Sequence, residues 1–251
     1  MSKSILIAGK DFPDGGDFAE GAEMKMRNVA ITQSPLLRGA VPANLKAFSW
    51  LRTSPVSART LVLDCETAFK NLDEAVLYFD ESYYVAKFNS FTTPECSAAV
   101  DEMVLGFQYL TLEILSRFEK ISSLNLRQED SPVPKLVFLV KNSVAEADVA
   151  RKAALRSLVP MASGPFVSAA RAAFEAFAEN TAALYSERAY VNIILSRTDL
   201  GNEVAKSDRS LSEWLFTYLD EFDALKKMPS AKQMMSWVNA GAKAQGFSIF
   251  K

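Results

Sequence analysis

The sequence predicts an α/β fold, a doubly wound and mainly parallel sheet with helices on both faces. Three observations predict it. Short, uninterrupted apolar runs such as Ser4–Ala8, Ala75–Phe79 and Leu136–Val140 read as strands buried on both sides. Longer segments with helical periodicity separate them, as in 96–120, where Val100, Val104, Phe107, Leu110, Ile114 and Phe118 fall along one side. Finally, no linker long enough to divide the chain interrupts its 251 residues, so one domain over 1–251 is expected.

The elements follow in order. Ser4–Ala8 is a strand ending at Gly9, a polar Gly/Pro loop follows, and Phe18–Met26 is a helix. Asn28–Thr32 is a second strand, and Thr60–Leu63 and Ala75–Phe79, rich in Val and Leu, are further strands. A helix over Cys96–Lys120 precedes the strand Leu136–Val140. Val167–Arg188 is helical and Tyr190–Leu195 is a strand. Helices over Leu211–Leu225 and Ala231–Ala244 and a last strand at Phe247–Phe250 complete the expectation. Strands alternating with helices place the sheet between two helical layers.

Composition narrows the chemistry. A net charge of −2 gives no electrostatic case for nucleic acid. No apolar run reaches the ~18 residues of a membrane span, and the short apolar stretch after Met1 lacks a cleavage pattern, so cytoplasmic residence is expected. Histidine is absent, which removes Ser-His and Cys-His catalysis and most transition-metal sites. Cys65 and Cys96 form neither a disulfide framework nor a zinc site, and both are expected to be structural. No metal is expected.

Several fragments together resemble the short-chain dehydrogenase/reductase family over nearly the whole chain. Ile5-Leu6-Ile7-Ala8-Gly9 resembles its first strand, and Asn28-Val29-Ala30-Ile31 follows at matching spacing. Leu61-Val62-Leu63-Asp64 resembles the third strand, whose aspartate lies near adenine. Met103-Val104-Leu105-Gly106-Phe107 is similar to the start of the Asn-containing helix. Arg171-Ala172-Ala173-Phe174-Glu175-Ala176-Phe177 is similar to the helix after the catalytic Tyr, and Val191-Asn192-Ile193-Ile194 to the strand beyond it. The resemblance implies a Rossmann-like fold, with Gly9, Gly15 and Asp64 as the cofactor-binding positions.

The departures concern the chemistry. The family's three loop glycines fall on Gly9, Pro13 and Gly15, and its Asn-Asn-Ala-Gly on Phe79-Asp80-Glu81-Ser82. The helix asparagine corresponds to Met103, the serine to Ser143, and Tyr-x-x-x-Lys to Val167 and Arg171. These four positions are degenerate, and Val167 cannot exchange a proton. Arg171 stays cationic and is expected to pair with Asp11 or Asp14 across the cleft. Tyr83-Tyr84-Val85-Ala86-Lys87 repeats the Tyr-x-x-x-Lys spacing, but after the fourth strand and with no convincing helix; Glu81–Phe91 reads as an aromatic loop that plugs the cleft or forms a contact.

Lys10-Asp11-Phe12-Pro13-Asp14-Gly15-Gly16-Asp17 is unsuited to a pyrophosphate. Pro13 removes an N–H donor. A carboxylate ~4–6 Å from a phosphate charge repels it by roughly 3–4 kcal/mol at an effective dielectric of ~20. One of these aspartates is expected to cap the following helix instead. No cofactor is therefore expected, with NAD or NADP as the alternative.

The main functional expectation is a non-catalytic structural, scaffolding or regulatory protein. A divergent NAD(P)-dependent oxidoreductase, with Ser143 or a displaced tyrosine as proton donor, and a small-ligand sensor are the alternatives. The resemblance also implies a homo-dimer or homo-tetramer through helices 96–120 and 165–188, where alanines permit close approach.

Overall fold

In a computed structural model the described residues are 2–36, 41–88, 92–124, 132–143, 164–225, 230 and 234–244. In chain order they form β1 (Lys3–Phe12), α1 (Gly16–Met24), β2 (Arg27–Gln33), β3 (Lys46–Ser49), α2 (Pro55–Phe69) and β4 (Glu74–Asp80). Then come α3 (Glu81–Lys87), α4 (Thr93–Val100), a π-helical turn at Asp101–Leu105, α5 (Gly106–Ser123) and β5 (Lys135–Asn142). α6 (Gly164–Tyr185), β6 (Asn192–Asp199), a 3-10 turn (Glu203–Ala205), α7 (Asp208–Asp223) and β7 (Val238–Asn239) follow.

The seven strands form one sheet in the order β3-β2-β1-β4-β5-β6-β7, every neighbouring pair parallel. Side chains alternate between its faces. Leu6, Ala8, Leu77, Phe79, Phe138 and Val140 pack toward α2, α5 and α6. Ile5, Ile7, Tyr78, Val137 and Leu139 pack toward α1 and α7. The order reverses between β1 and β4, and in such sheets the crevice beyond the strand ends at that point is the customary ligand site.

Several expectations need correction. Thr60–Leu63 is not a strand: it lies within α2, whose Ser54 side chain accepts from the Ser57 N–H and whose first residue is Pro55. A Ser cap followed by proline starts a helix, and that local signal outweighs a run of Thr, Leu and Val. Strand three is Lys46–Ser49, largely exposed and therefore without an apolar run. Glu81–Lys87 is a helix, because the Asp80 side chain accepts from the Tyr83 N–H. Within 234–244, part of the predicted helix over Ala231–Ala244, the described residues carry the short β7 and turns; residues 231–233 and the strand expected at Phe247–Phe250 lie outside the described residues.

At the end where the strands begin, a charged cluster ties α7 to the sheet. Glu74, wholly buried, accepts from Arg27 at 3.1 Å, and Arg27 also pairs with Asp220 at 2.7 Å. Lys3 and Lys135 both reach Asp223, at 2.8 and 2.6 Å.

Candidate functional site

The crevice lies at the opposite end, beyond β1, β4 and β5. Gly9 in β1 has φ 125°, and a Cβ there would stand 2.0 Å from the Tyr78 carbonyl oxygen, so only glycine fits this close approach. Its own carbonyl is claimed twice. The Tyr84 hydroxyl donates to it at 2.9 Å and Arg52 Nη2 at 2.7 Å.

Arg52 is 4% exposed and organises this corner. It donates to the Tyr84 hydroxyl at 2.7 Å and pairs with Asp11 at 3.0 Å, while Asp11 accepts from the Thr32 hydroxyl at 2.6 Å. Its guanidinium lies 4.6 Å from the Trp50 ring centroid. Gly106 gives it room, since a Cβ there would come 2.8 Å from the Arg52 Cβ. Burial works against the charge, yet the neighbouring Asp11 carboxylate keeps the guanidinium pKa raised. Burial also pushes the Tyr84 phenol well up, so it remains a neutral donor. Tyr84 thus fills the corner from α3, which makes Glu81–Lys87 a helical plug in place of the expected loop.

Two amides at the helix start that would receive a pyrophosphate are satisfied internally. The Gly15 N–H donates to the Asp11 carbonyl at 2.9 Å and the Gly16 N–H to the Pro13 carbonyl at 2.8 Å. No side chain caps α1; Gly15 stands at its N-cap, and the acidic residue in its first turn is Asp17. The expected aspartate cap is therefore absent. Asp11 is committed to Arg52 and Thr32, and the chain closes the turn with backbone carbonyls.

On the other side of the sheet, side chains from three strand ends converge on the start of α7. Lys10 reaches Asp208 at 2.6 Å and Asp80 at 3.1 Å. Lys141 reaches Asp208 at 2.7 Å, and the Tyr78 hydroxyl donates to Asp208 at 3.0 Å. Burial opposes ionisation of Asp208, but Lys10 and Lys141 beside it hold its carboxyl below the usual range. Two cations and two carboxylates thus neutralise each other with little water access. Of these partners the sequence singles out Lys10 and Asp80 but not Tyr78, Lys141 or Asp208; apolar strands that end in Asp80 and Lys141 are the available signal.

Two of the four degenerate catalytic positions, Ser143 and Arg171, meet at Glu81. Ser143, at the end of β5, donates through both its N–H and its hydroxyl to Glu81 Oε2, each at 2.8 Å. Arg171 Nε lies 3.4 Å from Glu81 Oε1 and its Nη1 2.9 Å from Glu175. Arg171 therefore pairs with Glu81 and Glu175, and not with Asp11 or Asp14 as expected. Val167 is wholly buried in the core, and Met103 is buried in the π-helical turn. Glu81, at the position of the family's Asn-Asn-Ala-Gly, is the group that joins Ser143 to Arg171.

Asp64 is not at the end of a strand, as expected, but lies exposed on α2. Cys65 beside it is buried in the core, where burial pushes its thiol pKa up, and Cys96 is half-buried. Among the described residues no group of three or more His, Cys, Asp or Glu is arranged to hold a metal ion. Among them, too, no helix is long and apolar enough to cross a membrane.

An opening lies at this end. A cavity of about 370 Å³ is lined by Asp11, Phe12, Asp14, Ser34, Tyr83, Ala86 and Lys87. Burial and the nearby Asp11 push the Tyr83 phenol up. Lys87 on its wall is paired with Glu102.

No protein-family model matches the chain, and no curated protein matches its sequence. Solved structures do match. The NADH-dependent reductase A1-R′ responsible for alginate metabolism superposes with a TM-score of 0.61 at 12% identity, covering 96% of both chains; its complex with NAD gives 0.59 at 12% identity over 86% of this chain and 88% of that one. A short-chain dehydrogenase/reductase from Serratia marcescens gives 0.53 at 11% identity over 96% and 97%. A variant of ElxO with NADPH bound gives 0.53 at 14% over 94% and 89%. At these identities the likeness is one of architecture: the chain has the doubly wound fold of the short-chain dehydrogenases/reductases.

Proposed function

We propose that this chain is a non-catalytic relative in fold, with a structural, scaffolding or regulatory role, whose coenzyme crevice is filled by its own side chains. The observation that carries the reading is the Arg52–Tyr84–Asp11 knot on the Gly9 carbonyl. A dinucleotide needs free backbone N–H groups at the α1 start and room above β1. Here the Gly15 and Gly16 N–H groups are spent on carbonyls, and the Tyr84 and Arg52 side chains stand at the end of β1. The residues present do not fit the coenzyme.

The proton-transfer positions support the same reading. Reduction of a carbonyl by this fold uses a phenol with an ammonium nearby. The corresponding positions hold a buried Val167 and an Arg171 engaged by two carboxylates. A homo-oligomer built on α5 and α6 belongs to the proposal, since α6 exposes Ala169, Ala172 and Ala176 along one side and α5 exposes Leu112.

A divergent NAD(P)-dependent oxidoreductase is the second reading, favoured by similar structures that hold NAD or NADPH. In it Ser143 or Tyr83 would supply the proton. The cavity of about 370 Å³ favours a third, a sensor of a small ligand. A thermal-shift screen separates the three, because a ligand that binds the native state raises its melting temperature by mass action. No shift with NAD(H), NADP(H) or metabolites is the expected result; a rise with NADH or NADPH would favour the second reading, and a rise with a metabolite alone the third.

A further inference from the structure

Tyr218 and Phe222 stand one turn apart on α7, so they share a face, and their ring centroids lie 6.5 Å apart. Ile194 on β6 and Met234, Trp237 and Val238 on the segment that carries β7 complete a groove of about 350 Å³. That size falls within the ~300–1,000 Å³ of small-molecule sites, which are likewise walled mainly by apolar and aromatic side chains.

Hydrogen bonds fix the outer wall. Trp237 Nε1 donates to Glu179 Oε1 on α6 at 2.7 Å, and the Ala240 N–H donates to the Arg197 carbonyl on β6 at 2.9 Å. Trp214 Nε1 on α7 donates to the Ala242 carbonyl at 2.9 Å, and the Ala244 N–H donates to Glu221 Oε2 on the same helix at 3.1 Å. A wall tied to β6, α6 and α7 cannot fold inward onto Phe222 without breaking these bonds, so the groove is pre-formed.

Its polar groups lean one way. Burial, with the Glu221 carboxylate nearby, pushes the Tyr218 phenol up, so it stays a protonated donor. Asn239 in the lining gives its amide oxygen to Arg197 Nε at 2.9 Å, which leaves its N–H groups as donors. Lys243 adds an exposed ammonium. The lining residues include no carboxylate, and Glu179 and Glu221, which meet this segment from α6 and α7, accept from Trp237 and Ala244. Aromatic walls suit a flat ring, and donors with a cation suit an anion attached to it.

We propose that the groove between β6, α7 and residues 234–244 binds a small aromatic monocarboxylate, its ring against Phe222 and Trp237 and its carboxylate at Lys243. The site shares no residue with the crevice, so it stands whether or not a coenzyme enters there. It differs from the cavity at Tyr83, whose lining carries Asp11 and Asp14.

Cinnamate is the probe, titrated calorimetrically into the full-length chain beside cinnamyl alcohol, its uncharged counterpart. Saturable binding of cinnamate below ~1 mM is expected, with the alcohol about fivefold weaker. Lys243→Met should weaken cinnamate about fivefold and leave the alcohol unchanged. Ala242→Trp, which fills the groove, should abolish binding of both. Absence of saturable binding, equal affinity for acid and alcohol, or wild-type affinity in Lys243→Met overturns the proposal. Should Ala242→Trp fail to fold, nuclear Overhauser contacts in the wild type between cinnamate ring protons and the methyls of Ile194 and Met234 are expected. Contacts to Tyr83 in their place would assign the ligand to the other cavity and refute the site.

Discussion

Asp11 and Arg52 lie 3.0 Å apart, one 5% and the other 4% exposed, at the end of β1 where this fold customarily admits a nucleotide. Breaking a buried pair from one side leaves an uncompensated charge, at a cost of ~3–5 kcal/mol. Arg52→Met is expected to destabilise the protein by about that much, and Asp11→Asn added to it to recover a large part of the loss. Chemical denaturation of the two variants measures this. Additive losses would show that the pair is not coupled and that the knot does not hold the crevice shut.

Restoring the missing motif is expected to restore nothing. A Val167→Tyr/Arg171→Lys variant regains Tyr-x-x-x-Lys in sequence, but Val167 is wholly buried and the added bulk costs ~1–3 kcal/mol of overpacking. Ser143 would still face the Glu81 carboxylate. The expected outcome is a lower melting temperature and no consumption of NADH with carbonyl substrates. Turnover above the wild-type baseline would show that loss of these two residues alone had silenced the site.

Acid is expected to loosen α7 from both ends of the sheet. Burial opposes the charge of Asp208, but Lys10 and Lys141 hold its pKa down; burial likewise opposes Asp220, but Arg27 and Lys3 hold its pKa down. A depressed folded-state pKa stabilises above the unfolded value and loses that contribution as pH falls through the folded one. With an unfolded aspartate near ~3.9, this contribution is complete above about pH 4 and disappears below it. Urea titrations between pH 6 and pH 2 should show the steepest loss in that lower range, and Asp208→Asn should flatten it.

Much of the fold was legible because buried parallel strands are apolar throughout, and Ala75–Phe79 and Leu136–Val140 needed no other signal. Thr60–Leu63 misled for the opposite reason: Leu61 and Val62 are buried against the sheet, but Thr60 and Leu63 are exposed, a one-sided helical pattern too short to separate from a strand. Lys46–Ser49 escaped because an edge strand hides little, and its Lys46 is exposed. At the site, the departures from the family motif could be read at Val167 and Arg171. The arrangement around them could not, because Arg52, Glu81 with Tyr84, and Asp208 come from three segments that only the tertiary fold brings to the strand ends.

Self-association through α5 and α6 makes a further prediction. Leu112 is 59% exposed and Leu184 70% exposed, and Ala172 lies exposed between them in the chain. Ala172→Glu would place a charge on the exposed alanine side of α6, so light scattering should give a multi-chain mass for the wild type and a single-chain mass for the variant. A single-chain wild type, or a variant that stays assembled, contradicts the proposed interface.

The most direct measurement is calorimetric titration of the wild-type chain with NADH and with NADPH. A crevice occupied by Arg52 and Tyr84, with the Gly15 and Gly16 amides already bonded, predicts no saturable heat for either coenzyme. Saturable binding at low-micromolar concentration would mean that the crevice opens for a nicotinamide coenzyme, and would contradict the account.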